Sequence, residues 1–577
     1  MDFAKNRILA KIFYEIAEYL EMEGVEFKPR AYRKAAFVLE GMEENIESVY
    51  AKGGLKGLES MPGIGKSIAL KIEEYLKTGK IRRYQEYKKS FPLNIDELIS
   101  VQGIGPKKAK TLYQKLKIKN LDDLEKAAKK NKIAALFGFD KKTEKNILES
   151  IAFLKKSKGR FLLGEILPLV EDILKKLKKL KQVEQISVAG SVRRKKETVG
   201  DVDILITAKN PQEIMGYFVQ LPGVVKVWMK GPTRSSVRME QGFDIDLRVV
   251  KKKNYGSTLQ YFTGSKDHNI VLRKIAIEKK LKLSEYGLFR GSKMIAGWDE
   301  KEIYRILGLD WIEPELRENR GEIEAAQKSV LPELITVKDI KGDLHCHSDW
   351  SGGENTIEEM AESAIEMNYQ YLGIADHTKF LKIENGLDER RLSLQKKEID
   401  KINLKISSRN LNFRLLHGCE ANILTNGSID IKNSFLKKMD FVVAGVHSGF
   451  KMSRQKITER IIKAVKNPEI DIISHPTGRI LKKRDEYQID FDKILRAAKQ
   501  YNKALEINSY PKRMDLNDLN IYRAKQAGVK MVINSDAHHK DQLDFIGFGV
   551  GQARRGWAEK KDIINTDSFE KLLKNFR

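Results

Sequence analysis

Gly190-Ser191-Val192-Arg193-Arg194-Lys195-Lys196-Glu197-Thr198-Val199-Gly200-Asp201-Val202-Asp203 is the stretch on which the reading of this chain turns. The apolar run Val202–Thr207 predicts a strand. Side chains alternate along a strand, so Asp201 and Asp203 share a face on either side of the outward-turned Val202. Two neighbouring carboxylates repel unless cations neutralise them. A third, Asp246, falls in the strand-like Ile245-Asp246-Leu247-Arg248. Three carboxylates can hold two Mg²⁺ ions about 3.5–4 Å apart, the arrangement that serves in-line displacement at phosphorus. Asp244 lies on the same face and is the weaker candidate.

Working outward, Leu162–Leu180 has helical periodicity, and strand-like runs follow at Gln185–Ala189, Val202–Thr207, Val224–Met229, Ser236–Met239 and Phe243–Val249. An α+β domain is predicted there. Before it, residues 1 to about 155 read as short amphipathic helices broken by glycines. After it, the polar Glu313–Val330 stretch reads as a connector. Beyond residue 338 seven apolar runs alternate with helical segments: one before His345, then Tyr371–Ala375, Phe413–Leu416, Phe441–Val446, Ile470–Ile473, Ala504–Ile507 and Lys530–Ile533. Strict alternation implies a parallel sheet, and seven units suggest closure into a barrel.

The quoted string resembles the nucleotidyltransferase motif of DNA polymerase beta and other family X enzymes, Gly-Ser-x-Arg-Arg followed by Gly-Asp-x-Asp. Alone, Gly200-Asp201-Val202-Asp203 also fits a solvent-exposed turn. The ordered motifs around it remove that reading: Tyr261-Phe262-Thr263-Gly264-Ser265 is similar to the family's segment beside the incoming nucleotide, and Asn269 and Arg273 follow at the family spacing. The resemblance implies that Asp201, Asp203 and Asp246 are catalytic and bind Mg²⁺ or Mn²⁺. It implies that Ser191, Arg194 and Gly200 grip a deoxynucleoside triphosphate. Tyr261, Phe262, Gly264 and Asn269 would contact its sugar and base, Arg273 the template strand, and Arg248 and Tyr286 would couple closure to the carboxylates.

In the helical third, Met61-Pro62-Gly63-Ile64-Gly65-Lys66 and Val101-Gln102-Gly103-Ile104-Gly105-Pro106-Lys107-Lys108 each precede a helix. Glycines let the backbone approach a phosphate, and the helix start presents free N–H groups to it. Both resemble helix-hairpin-helix motifs, which hold the sugar-phosphate chain without reading bases. Gly63, Gly65, Gly103, Gly105 and Lys107 are the expected DNA contacts. Residues 51–200 hold 36 Lys and Arg against 17 Asp and Glu, so most of the chain's formal +27 lies here. The same helices resemble the family's lyase domain, with Lys71 at its Schiff-base position, although Ser67 and Phe27 stand where polymerase beta has basic or polar residues. The Lys175–Lys181 run, whose leucines recur every third residue, reads as a solvated helix face.

Eight of the nine histidines lie between residues 345 and 577. His345, His347, His377, Glu420, His447, His475, Asp536 and His538 each follow an apolar run, and the C-terminal strand ends of a (β/α) barrel meet at one mouth. Imidazole mixed with carboxylate suits Mn²⁺, Zn²⁺ or Fe²⁺. The pattern resembles the polymerase-and-histidinol-phosphatase (PHP) domain, a distorted (β/α)₇ barrel with a trinuclear metal site. Fused to such a polymerase, it implies phosphoester hydrolysis at DNA 3′ ends, with nicking at abasic sites in some members. Gly352 departs from that pattern, because many members have Asp there; Asp349 or Glu354 are the candidates to replace it. His417, His539 and Cys346 are read as packing, and Arg479 as a candidate phosphate clamp.

The expected fold is therefore multidomain: an all-α lyase-like region (1–85) and a second helix-hairpin-helix subdomain (86–155), an α+β palm (156–255), a nucleotide-selection subdomain (256–315), a linker (316–338) and a PHP barrel (339–577). The expected protein is a bacterial or archaeal type family X DNA polymerase that fills short gaps in DNA repair and carries a 3′-5′ exonuclease or abasic-site endonuclease. Its expected partners are gapped or nicked double-stranded DNA and dNTPs, with no membrane, and it is expected to be a cytoplasmic monomer. Two cysteines make no disulfide framework. The alternatives are a nuclease whose polymerase part mainly holds DNA, and a non-catalytic DNA-end scaffold; intact Asp201, Asp203 and Asp246 argue against both.

Overall fold

The computed structural model describes residues 4–42, 45–61, 63–99, 101, 104–156 and 160–576. Gly103 lies outside them. The chain divides into two compact units, essentially residues 1–158 and 159–577.

Among its described residues the first unit is entirely helical, running from Ala4–Glu23 to Lys141–Lys156. Leu9, Phe13, Ile16, Leu39, Ile68, Ile72, Leu112 and Ile147 share one core. The two glycine motifs repeat one geometry. Ile64 N–H donates to Met61 O and Ile104 N–H to Val101 O, each at 3.1 Å. Gly65 and Gly105 are then the N-caps of Lys66–Thr78 and Pro106–Leu116, with no side chain capping either helix start. Gly63 has φ +85°, a conformation open to glycine, while a Cβ on Gly65 or Gly105 would meet nothing within 4 Å.

The second unit begins with a five-stranded sheet of β1 (Val183–Val188), β2 (Asp201–Ala208), β3 (Val224–Lys230), β4 (Arg234–Met239) and β5 (Asp244–Val249), ordered β1-β2-β5-β4-β3. Only β2 and β5 pair in parallel; the other neighbours are antiparallel. Residues of the helices Leu163–Lys178 and Pro211–Phe218 join one core with Val202, Ile204, Ile245 and Leu247. Helices Tyr255–Thr263 and Lys266–Glu278 lead to a three-stranded antiparallel sheet, Lys282–Ser284, Gly287–Arg290 and Lys293–Ala296.

The connector is packed into this unit rather than loose. Leu316, Ile323, Ala326 and Leu334 join the core around Leu288 and Tyr304. Fully buried Arg317 pairs with Glu300 and donates to Ile312 O at 2.9 and 2.7 Å. Buried Glu322 lies 2.6 Å from His268 Nδ1.

Phe161–Leu162 and Thr198–Val199 form a short antiparallel pair, and from Gly342 on the strands all pair in parallel. Gly342–Cys346, Tyr371–Ile374 and Arg414–His417 form one group, and Glu420–Asn422, Val443–Gly445, Ile472–Ile473, Ala504–Asn508 and Met531–Asn534 another. Glu420–Asn422 follows Arg414–His417 after a break at Gly418, where a Cβ would lie 2.4 Å from the Phe441 ring. A His377–Glu420 bridge joins the groups, and His347 N–H to Ala537 O with Asp536 N–H to His345 O ties the last strand to the first. The predicted runs thus become two parallel groups of strands, linked by that bridge and those backbone bonds. Among the described residues no helix is long and apolar enough to cross a membrane.

Removing one member of a buried ion pair leaves its partner desolvated and poorly compensated. Arg317→Met is expected to cost about 3 kcal/mol, the low end for such losses because Arg193 still pairs with Glu300. Thermal unfolding of the purified variant checks this; a wild-type melting temperature would contradict it.

Candidate functional site

The palm-like sheet positions its carboxylates through strand register. Parallel pairing sets Asp201 opposite Asp244 and Asp203 opposite Asp246. Gly190 crosses beside them with φ +60°, and a Cβ there would lie 3.0 Å from Asp203 Oδ2. Burial, then the charges of Asp201 and Asp246, push the Asp203 carboxyl up to about 7. Asp246 accepts from Arg234 Nη2 at 2.9 Å, with Arg248 Nη2 at 3.9 Å. The three carboxylates therefore face one another across two strands, but their oxygens do not all converge within 4.8 Å. Asp244 is committed elsewhere: Arg238 binds it through two bonds of 2.8 Å and Trp228 Nε1 through one of 2.9 Å.

A cleft of 530 Å³ opens beside Asp246, lined by Arg234, Arg248, Thr258, Phe262, Glu285 and Tyr286. Arg248 lies over the Phe262 ring at 4.4 Å, and Phe262 meets Tyr261 edge-on at 5.3 Å. Asn269 is tied back to the preceding helix, donating to Tyr261 O at 2.7 Å and accepting from Gln260 at 2.6 Å. Gly264, at φ +70°, leaves room for Arg194, whose Nη1 would lie 3.1 Å from a Cβ there. Arg194 itself binds Glu318 at 3.0 Å and the carbonyl of Thr263. Half-buried Ser191 sits in the short helix Gly190–Arg193, and Gly200 lies next to Arg160. Arg273 is half-buried on the helix Lys266–Glu278.

The barrel brings all eight predicted residues to one mouth. Three groups have ligand atoms mutually within 4.8 Å: His345, His347 and Asp536; His377, Glu420 and His447; and His347, His377 and His538. Glu420 is central, 2.8 Å from His377 Nδ1, 2.9 Å from His475 Nε2 and 3.2 Å from His447 Nε2. Asp536 lies 3.3 Å from His347 and 3.7 Å from His345. Among the described residues, buried His345 Nε2, both ring nitrogens of His347 and His447 Nε2 have no hydrogen-bond partner. Buried polar atoms are rarely left so, and imidazoles mixed with carboxylates are a transition-metal donor set. The residues present fit such ions. Burial, aided by His377 and His538, holds His347 well below the usual imidazole range, in the neutral form that ligates.

Several supporting residues escaped sequence reasoning. Glu506 lies 2.6 Å from His345 Nδ1 and accepts from His475 N–H at 2.7 Å, while Asn422 Oδ1 faces His447 Nδ1 at 2.7 Å. Such partners fix ring orientation. Arg513 Nε sits 3.4 Å from Asp536. Glu506 lies in a predicted strand, but nothing in its spacing marks it; Asn422 and Arg513 carry no signal in one sequence. Arg479 corrects an expectation. Instead of waiting for a phosphate, it is bound to Glu197 at 2.7 and 3.3 Å and to Met514 O, joining the barrel to the loop before β2. Cys346 donates toward Gly373 O and belongs to none of the three groups.

Comparison with known proteins follows the same divisions. Family models match as a helix-hairpin-helix domain (residues 4–81), a SAM-like helix-hairpin-helix tandem (95–152), DNA polymerase beta palm (164–223), DNA polymerase beta thumb (258–318) and a PHP domain (343–510). The chain is 38% identical over 567 residues to the DNA polymerase/3′-5′ exonuclease PolX of Bacillus subtilis (strain 168), covering 97% of each protein. This chain belongs to the family X DNA polymerases with a C-terminal PHP domain. The PHP part alone is similar to a probable phosphatase of Thermoanaerobacter sp. (strain X514), 33% identical over 39% of this chain and 90% of that one. A probable phosphatase of Acetivibrio thermocellus is 30% identical over 40% and 94%. The chain thus carries a polymerase palm and a PHP domain together.

The folded protein holds the Asp203 proton more tightly than the unfolded chain does. The stability tied to that group is complete below about pH 4 and is lost as pH rises through about 7. In EDTA, Asp203→Asn is therefore expected to melt above the wild type at about pH 8, the gap closing toward about pH 5. Identical melting temperatures at the higher pH would remove the claim of a penalised carboxylate.

Proposed function

We propose that this polymerase fills short gaps in DNA at the palm carboxylates and trims 3′ ends at the PHP barrel. The observation that carries the reading is the coexistence of the Asp203–Asp246 register pair beside an arginine-lined cleft with three histidine-rich groups at a barrel mouth. Gapped or nicked DNA and dNTPs are the substrates this implies, with the glycine-led helix starts at Gly65 and Gly105 holding the phosphate backbone.

Mg²⁺ or Mn²⁺ held by Asp201, Asp203 and Asp246 supplies charge neutralisation and a lowered pKa at the primer 3′-hydroxyl. The protein's own part is positional. Arg234 must release Asp246 for that carboxylate to ligate, and Arg194 must exchange Glu318 for the triphosphate. Tyr261 and Phe262 offer an aromatic wall for sugar and base. In the barrel, Mn²⁺, Zn²⁺ or Fe²⁺ on His345, His347, His377, Glu420, His447, His475, Asp536 and His538 supplies Lewis acidity toward a phosphoester. Glu506 and Asn422 keep the rings oriented, and Arg513, 3.4 Å from Asp536, adds a guanidinium charge beside them that would suit a phosphate oxygen.

The deciding assay uses gapped DNA with dNTPs and either Mg²⁺ or Mn²⁺. Asp203→Ala is expected to lower extension by at least about 10³-fold while 3′ digestion continues, and His377→Ala to do the reverse, since each removes electrostatic stabilisation from one site. Loss of both activities in both variants would argue against two separate sites.

A lyase reading has its own support. Lys71 lines a cleft of 670 Å³ with Tyr32, Ser67 and Arg83; its amine bonds Ser67 at 3.3 Å and lies 5.7 Å from the Tyr32 ring. Burial draws that amine below the usual lysine range, which favours attack on an aldehyde. Ser67 thus bonds Lys71, and Phe27 is strongly exposed. Borohydride should trap the wild type, but not Lys71→Ala, on DNA carrying a 5′-deoxyribose phosphate; equal trapping would exclude Lys71 as the nucleophile.

A further inference from the structure

The three histidine-rich groups in the barrel are not equivalent. Two include a carboxylate, Asp536 or Glu420, whereas His347, His377 and His538 form a group of imidazoles alone. Three neutral ligands leave a divalent ion without the anionic partner that oxygen-preferring ions favour. Gly352 stands at this corner. A Cβ on Gly352 would lie 3.4 Å from His377 Cδ2 and 3.5 Å from His538 Cδ2, the carbons bonded to Nε2 in each ring. A carboxylate at residue 352 would therefore face this group.

The sequence-derived candidates to replace it, Asp349 and Glu354, are both exposed. Glu354 meets this corner through its backbone, its N–H donating to His538 O at 2.9 Å. Another carboxylate approaches this space: half-buried Glu384 has Oε2 3.4 Å from the same Cβ position on Gly352, while lying outside the three groups. Its turn is latched to the loop that carries Gly352. Ser351 Oγ donates to Glu384 O at 2.7 Å, and Asn385 Nδ2 to Trp350 O at 3.2 Å. Arg391 spans both loops, donating to Trp350 O at 2.9 Å and Asn385 O at 2.8 Å.

We infer that Glu384 supplies, from a separate turn, the carboxylate ligand that Gly352 lacks at the His347–His377–His538 corner. The missing side chain has been replaced in space rather than in sequence. The inference rests on the barrel being a metal site, as proposed above.

The test is metal content in the full-length protein. Chelator-stripped wild type, Glu384→Gln, Glu384→Gln with Gly352→Asp, and His377→Ala are dialysed against Mn²⁺ alone and counted by plasma mass spectrometry. Glu384→Gln is expected to hold one Mn²⁺ fewer per chain than the wild type. Adding Gly352→Asp should restore that ion, since Asp tolerates the left-handed backbone of residue 352 better than most side chains. Full Mn²⁺ content in Glu384→Gln, alongside a loss in His377→Ala, would overturn the inference and leave the barrel reading standing. A loss not restored by Gly352→Asp would also overturn it. Wild-type content in His377→Ala would instead sink the barrel reading itself.

Discussion

Parallel pairing between strands far apart in sequence is the constraint on which both sites depend. In the sheet of the palm, β2 and β5 run side by side, and that register alone sets Asp203 across from Asp246. A slip of one residue would turn one of the two away, because side chains alternate. In the PHP part the same rule acts six times: parallel strands end on one side, and His345, His377, Glu420, His447, His475 and Asp536 arrive there from strands spread over nearly two hundred residues.

Charge is arranged differently at the two places. Around the palm, arginines are paired with acidic groups: Arg234 on Asp246, Arg194 with Glu318, Arg193 with Glu300. Buried Arg555, from the barrel helix Ile546–Arg555, also binds Glu318 and Asp518 and donates to Arg194 O at 2.9 Å. Arg194 is thus one step from the barrel in a continuous ionic network. In the barrel the opposite holds. Imidazoles crowd around two carboxylates, and Glu506, Asn422 and Asp343 fix the backbone and rings from behind.

Much of this was legible in the sequence because the signals were local. Gly-Asp-x-Asp on a strand, the paired Gly-x-Gly turns and the histidines after apolar runs each carry their geometry within a few residues. What stayed hidden depends on distance along the chain. Arg479 follows His475-Pro476 and looks like a phosphate clamp, yet its partner Glu197 lies in a different domain. Glu384 has no motif around it and becomes notable only beside Gly352. The connector reads as polar, but its charges are internal: Arg317 and Glu322 are buried against Glu300 and His268, which a composition count takes for solvated residues. Asp244 and Asp246 share a strand face, and only the neighbouring Arg238 and Trp228 show which is already engaged.

The central claim is that side chains from separate parallel strands form two cation sites, one on the palm sheet and one in the barrel. Anomalous diffraction from crystals grown with gapped DNA, a non-hydrolysable dNTP and Mn²⁺ tests it most directly. The account predicts Mn²⁺ peaks between Asp203 and Asp246 with Arg234 displaced, and separate peaks among His345, His377, Glu420 and Asp536. Peaks in the barrel with none in reach of Asp246, and Arg234 still bound to it, would contradict the palm half of the account; an empty barrel would contradict the other.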